Sequence, residues 1–350
     1  MLNPERSSPP ASLHRASLHR ASLHRASPQS ASPQRRLDLF TGKHVLIAPE
    51  REHRPDEFRA AVRSSEQTLC PFCPGNEGQT PPEQLRFGGD DWLTRVFSNK
   101  FPAVCESGAS APPSNAAGAH EVIVESPRHV ARYSELTPEE VCSAFRVYAA
   151  RLRHYQSSGF ASGFLFKNCG RDAGASLEHV HSQLIALHRV PTSVRHRIQR
   201  NRRYFARWSR YISEMVLERE QRDNLRVVFS DSCMLAFAPF ASRAPYELRI
   251  VPLAAEPSLE LLSDPELERI ALLVRRLVIA LESVLPDVSY NVIFHTKPWR
   301  MRGGDTGFDR WQIELVPRLS RWAGYELGTE EYINPVLPEH AAALIKTHLQ

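Results

Sequence analysis

Two helix starts with the same signature divide this chain into halves that read alike. Thr137-Pro-Glu-Glu140 is a capping box with proline at the first helical position, and Val141, Phe145, Tyr148, Leu152 and Tyr155 follow it at helical spacing. Ser263-Asp-Pro-Glu266 repeats the signature ahead of Leu267, Ile270, Leu273, Val274, Leu277 and Leu281. Strand-like runs surround each helix in one order. Residues 121–125 precede the first helix, and 163–168 and 179–187 follow it. Residues 246–251 precede the second, and 290–294 and 310–316 follow; 229–237 mirrors 97–104. A strand–strand–helix–strand–strand unit repeated in tandem predicts an α+β fold, each copy an antiparallel sheet packed with a helix. The Arg- and aromatic-rich segment 190–222 reads as a helical linker between the copies.

The boundaries come from composition. Residues 1–36 contain ASLHR three times from Ala11, then ASPQS and ASPQR ending at Arg35, with no apolar period that could build a core. They read as a disordered low-complexity tail, and the acid-poor, Ser- and Arg-rich make-up also resembles a transit peptide. The tail holds six arginines and one acid, so it accounts for the whole formal net charge of +5. The remainder is neutral, so the basic balance belongs to the tail and says nothing about the partners of the folded part, for which no nucleic acid is expected. Residues 37–205 are then the first domain and 206–350 the second. No stretch approaches the ~18 apolar residues a membrane span needs. Cys105, Cys142, Cys169 and Cys233 are scattered singly, as expected of a reducing cytosol.

The chemistry of the two copies is uneven. In a strand alternate residues share a face, so His179, His181 and Gln183 point one way. Their counterparts in the second copy are Arg310, Gln312 and Glu314, which suggests one working site per chain. A strand bearing two satisfied polar groups, or a His pair on a metal, would also explain His179-Val-His181. The functional reading makes His181 a nucleophile toward phosphorus, with Gln183 donating an amide hydrogen bond to a phosphoryl oxygen. The loop Gly174-Ala175-Ser176 offers backbone N–H groups and a hydroxyl suited to phosphate. Cys70-Pro-Phe-Cys73 has zinc-knuckle spacing without a second CxxC, so histidines or carboxylates must complete a site; His129 and His179 are candidates. A redox pair or two core cysteines are the other readings of the motif.

AGASLEHVHSQLIA resembles the active-site segment of the galactose-1-phosphate uridylyltransferases, a branch of the histidine-triad superfamily. CPFCPGNE, TPPE, VFSNKFPAV, HEVIVESPRH and GYELGTEEYINPVLPEHAA resemble the same family, in order, over about residues 37–346. The resemblance implies two tandem histidine-triad-like repeats and a cytoplasmic, homodimeric enzyme. It implies a two-step, ping-pong transfer in which His181 attacks the α-phosphorus of a nucleoside-diphosphate sugar and an incoming sugar 1-phosphate collects the nucleotide. Cys70, Cys73, His129 and His179 match the zinc ligands. Arg51, Arg54, Phe72, Phe97, Asn99, Phe101 and Asn168 fall where the family contacts nucleotide or phosphates, and Gly174, Ala175, Ser176 and Gln183 match its phosphate loop and strand.

Three departures matter. Val180 stands where the family usually has proline. Gln312, Glu314 and Val316 replace histidines that hold a second metal in some members, so no second metal is expected. The basic and aromatic residues that bind sugar phosphate in the galactose enzymes have no clear match near Ser320 and Arg321. The first expectation is uridylyltransfer between UDP-glucose and a hexose 1-phosphate. The alternative is an ADP- or UDP-sugar phosphorylase with inorganic phosphate as acceptor, and the third is a non-catalytic zinc-stabilised binding protein.

Overall fold

The computed structural model describes residues 32–53, 69–105, 117–301 and 307–349. The tail up to Ala31 and Arg54 lie outside the described residues. The chain runs β1 (Gln34–Leu37), β2 (His44–Ile47), β3 (Glu83–Phe87), β4 (Thr94–Ser98), β5 (Gly118–Val124), α1 (Pro138–Ser157), β6 (Ser162–Cys169) and β7 (His181–Leu187). Two linking helices follow, α2 (Thr192–Trp208) and α3 (Ile212–Asp223). The second copy is β8 (Val227–Ser230), β9 (Met234–Phe237), β10 (Leu248–Pro252), α4 (Asp264–Val284), β11 (Tyr290–His295) and β12 (Gln312–Pro317). The chain closes with α5 (Gly324–Thr329), β13 (Tyr332–Asn334) and α6 (Pro338–Thr347). Among the described residues no helix is long and apolar enough to cross a membrane.

Both capping boxes form where the sequence places them. Thr137 accepts from the Glu140 N–H at 3.2 Å while the Glu140 carboxylate accepts from the Thr137 N–H at 2.7 Å; Glu266 accepts from the Ser263 N–H at 2.8 Å. The apolar stripes of α1 and α4 enter one continuous core containing Phe145, Tyr148, Leu277 and Leu281 with Leu165, Leu184, Ile313 and Leu315 of the sheet.

The repeat is real but carries one strand more per copy than the pattern showed. Ten strands form one sheet in the order β3-β4-β5-β7-β6-β11-β12-β10-β9-β8, which reads alike from either edge. Each copy is therefore strand–strand–strand–helix–strand–strand. Residues 229–237, read as one strand, form the β8–β9 hairpin, because Asp231 accepts from the N–H groups of Cys233 and Met234 and turns the chain. The partner of β9 in the first copy is thus β4. Strand β3 escaped notice because its Glu-Gln-Leu-Arg-Phe sequence lies on a largely exposed edge.

Two boundaries move. The division at 205/206 falls inside α2, and the two copies share both sheet and core. The folded part starts before residue 37: β1 pairs antiparallel with β2, and buried Arg36 donates to the Phe240 carbonyl and the Glu339 carboxylate, each at 3.0 Å. Strand β13 returns from the C-terminal end to lie parallel to β2.

Behind β7, on the helix side, Glu125 is fully buried and accepts from Tyr148 of α1, Ser182 of β7 and Lys167 of β6. The same Lys167 ammonium donates to the backbone carbonyl of His181 at 3.1 Å.

Removing residues 2–31 is expected to leave the melting temperature unchanged. Removing 2–36 should lower stability by about 2 kcal/mol or more, since a buried guanidinium with charge-assisted bonds goes with β1. Equal melting temperatures for the two truncations would refute this placement of the boundary.

Candidate active site

Strand alternation sets up the site. Val180, Leu184 and Ala186 point into the helix-side core, so His181 and Gln183 face the other side. That opposite face of β4 and β5 is covered by the Cys70–Cys73 turn, whose Phe72 packs with Trp92, Phe97, Val122 and Val124. The Phe72 ring lies 5.2 Å from the His181 ring and 6.0 Å from that of His179. The turn itself is tied by Asn76, whose amide donates to the Cys70 carbonyl at 2.8 Å.

The two histidines are held in opposite tautomers. His179 donates from Nε2 to the Ser126 carbonyl at 2.8 Å, which leaves Nδ1 bare and turned toward Cys70 and Cys73, 3.6 Å from each sulfur. His181 donates from Nδ1 to the His179 carbonyl at 2.8 Å, which leaves Nε2 bare. Burial, with the Lys167 charge beneath, lowers the His181 imidazole below its ordinary value, so it stays neutral. Burial takes His179 down to about 4. His181 is 6% exposed.

Cys70, Cys73, His129 and His179 bring four ligand atoms within 4.8 Å of one another, with Cys73 Sγ 3.2 Å from His129 Nδ1. Burial and the neighbouring Cys70 push the Cys73 thiol up to about 11. Two sulfurs and two imidazole nitrogens, that of His179 bare, lie together as a donor set that suits a divalent cation, which would reverse that shift by drawing out thiolates. Val180, in the family's proline position, donates its N–H to the Val130 carbonyl at 2.8 Å, a bond proline lacks.

The loop expected to bind phosphate spends part of its donors on itself. Gly170 and Gly174 adopt φ of +82° and +88°, and a side chain at Gly170 would strike Ser289. The N–H of Gly174 is spent on the Arg171 carbonyl and that of Ala175 on the Gly170 carbonyl, so neither is free for phosphate. Exposed Ser176 keeps its N–H and hydroxyl unpaired among the described residues. Asn168 lies on β6 with its Oδ1 accepting from Asn291 of β11 at 2.8 Å; the other amide hydrogen of Asn291 reaches the Ala173 carbonyl at 2.9 Å. Asn291 comes from the second copy and drew no attention in the sequence, being one asparagine in an apolar run.

The remaining expected residues are more scattered. Phe97 is 2% exposed and sits behind Phe72, so it supports the wall. Asn99 accepts from the Phe101 N–H at 2.8 Å, and Phe101 is 83% exposed. Arg51 is exposed on the single turn after β2, and no described contact joins it to His181. His120 was also passed over; it bonds Gln183 at 2.9 Å.

The corresponding face of the second copy is closed by charge. Glu314 pairs with Arg243, with Arg249 at 3.2 Å and with His295 at 3.4 Å. Burial opposes its ionisation, but Arg243, His295 and Arg249 outweigh that and hold it well below the usual carboxylate range.

Residues 103–350 match a family described as a domain of unknown function (DUF4921). The chain is 30% identical over 326 residues to ADP-glucose phosphorylase of Arabidopsis thaliana, covering 89% of this chain and 92% of that one. It is 26% identical over 330 residues to galactose-1-phosphate uridylyltransferase of Thermotoga maritima, covering 89% and 97%. The crystal structure of the Arabidopsis ADP-glucose phosphorylase with bound ADP-glucose superposes with a TM-score of 0.79 over 90% of this chain and 98% of that one. A solved uridylyltransferase, 26% identical over the same shares of the two chains, gives 0.71. The chain belongs to the galactose-1-phosphate uridylyltransferase family, which includes related sugar phosphorylases. At this level it is a nucleotidyltransferase or phosphorylase of that family.

Because Asn291 supplies both hydrogens to site elements, Asn291→Leu should strand the Asn168 and Ala173 oxygens and cost about 1–3 kcal/mol. Chemical denaturation of the two proteins measures it, and a difference under about 0.5 kcal/mol would contradict the clamp.

Proposed function

We propose that this chain takes the nucleotidyl group from a nucleoside-diphosphate sugar onto His181 Nε2 and passes it to a phosphate acceptor. The observation that carries the reading is the bare, neutral Nε2 of His181, fixed by its Nδ1 bond to the His179 carbonyl. A nucleophilic imidazole needs that nitrogen unprotonated and aimed. Attack at the α-phosphorus forms a P–N bond while the P–O bond to the β-phosphate breaks, and the sugar 1-phosphate leaves with the electron pair. An oxygen of the acceptor then attacks the same phosphorus, the P–N bond breaks, and the imidazole returns neutral. Gln183 would donate to a phosphoryl oxygen where negative charge grows, with Asn168 and Ser176 as further donors.

Inorganic phosphate is the acceptor we favour, giving a nucleoside diphosphate as product. The likeness to ADP-glucose phosphorylase in identity and in TM-score supports this, as does the missing match for sugar-phosphate ligands near Arg321. The second reading is uridylyltransfer between UDP-glucose and a hexose 1-phosphate, supported by the near-complete span of the Thermotoga uridylyltransferase. The homodimer expected from the resemblance remains part of the proposal.

Zinc is the metal we assign to Cys70, Cys73, His129 and His179. Tetrahedral zinc with ordinary Zn–S and Zn–N bonds spaces sulfur and nitrogen about 3.6 Å apart, close to the 3.2–3.6 Å between these sulfurs and imidazole nitrogens. Bound zinc would supply structure, joining the 70–73 turn to the start of β7. Purified protein should contain about one zinc per chain, and Cys73→Ser should lose it together with much thermal stability. Metal-free protein with full activity and an unchanged melting temperature would remove the assignment.

Incubation with ADP-glucose or UDP-glucose labelled at the α-phosphorus should leave protein-bound label that survives alkaline denaturation and is released by acid, as a P–N bond requires, and that is absent from His181→Ala. Initial rates at several fixed levels of phosphate should give parallel reciprocal lines, and phosphate should release labelled ADP or UDP. Intersecting lines with no trapped label would mean direct transfer; release only by hexose 1-phosphate would favour the second reading.

A further inference from the structure

A side-chain amide can present either its N–H₂ or its oxygen to a ligand, and only its other contacts decide which. Gln183 is useful to a phosphoryl group only with N–H₂ forward. We propose that His120 is the positioning residue that sets this orientation, resting on the reading of His181 as nucleophile.

The geometry runs from an obligatory donor. His120 lies on β5 on the same face as Val122, which pairs with Gln183 in the adjoining strand, so His120 reaches Gln183 along the diagonal. Its Nδ1 is 3.1 Å from the backbone N of Ala103. A backbone N–H can only donate, so Nδ1 must be the unprotonated nitrogen and Nε2 carries the proton. That Nε2–H has one acceptor within reach, Gln183 Oε1 at 2.9 Å. Asn99 Nδ2, at 3.3 Å from the same nitrogen, is itself a donor, since Asn99 Oδ1 is committed to the Phe101 N–H. With its oxygen held, Gln183 must turn both amide hydrogens away from His120. His120 is 9% exposed, so water does not readily substitute for it. Flipping the amide would set N–H₂ against Nε2–H and replace a bond with a donor–donor clash.

The role acts through Gln183 and therefore makes a non-additive prediction. His120→Phe keeps the ring but cannot donate. In single-turnover labelling with α-labelled ADP-glucose or UDP-glucose, it should slow label transfer by about 10-fold or more while substrate affinity changes less than about 3-fold. His120→Gln, which can accept from Ala103 and donate to Gln183, should restore much of the rate. In a Gln183→Ala background, His120→Phe should slow labelling no further. Equal losses in both backgrounds would overturn the proposal and leave His120 a packing residue. Should the Phe variant fail to fold, nitrogen-15 spectra of the histidine-labelled wild-type protein give an independent answer. His120 is expected as the Nε2–H tautomer, and the Nδ1–H form would overturn the orientation argument. Failure of unmodified protein to take label at all would sink both this inference and the reading of His181, a result distinct from either of the others.

Discussion

A single buried carboxylate fixes the frame in which the site is built. Glu125, the residue just after β5, has no solvent exposure and is met by Lys167 from β6, Ser182 from β7 and Tyr148 from α1. Burying that charge is unfavourable without its partners, and removing the charged partner of such a buried pair typically costs about 3–5 kcal/mol. The three central strands of the first copy and its helix are thereby tied at one point. Lys167 extends the tie to the carbonyl of His181, so the backbone of the residue we propose as nucleophile is held from behind while its side chain faces the other side.

On the front face, one backbone carbonyl couples two jobs. The His179 ring belongs to the Cys–His cluster, and the His179 carbonyl fixes the proton on His181 Nδ1. Anything that anchors the His179 ring also steadies the group that aims His181. Valine at position 180 is compatible with this arrangement because its N–H finds the Val130 carbonyl and its side chain fills the core. The polar residues around the site follow the same logic of oriented partners, with His120 behind Gln183 and Asn291 behind Asn168.

The duplication explains why the second copy persists without equivalent chemistry. The palindromic strand order brings β6 and β11 together at the centre, so Asn291 of the second copy reaches the loop and strand of the first. The face that would carry a second site is instead locked by Glu314 with Arg243 and Arg249. A neutral amide at Gln183 leaves hydrogen-bonding capacity for a ligand, whereas a carboxylate ringed by arginines has spent its own.

The sequence by itself determined what local chemistry and short periods can encode. The capping boxes and 3.6-residue stripes specified α1 and α4, alternation put His181 and Gln183 on one face, and CPFC with its Pro-Gly-Asn turn marked a candidate metal knuckle. The order of blocks fixed the family. Only tertiary structure decided the rest, because it depends on partners far apart in the chain. The exposed edge strand β3 and the parallel contact of β13 with β2 carry little periodic signal. Which N–H groups the Gly170–Ser176 loop spends internally depends on its closed turn, so Ser176 remains a donor while Gly174 and Ala175 do not. The tautomers of His120, His179 and His181 are set by the Ala103 N–H and the carbonyls of Ser126 and His179, and a residue list carries no record of where those groups point.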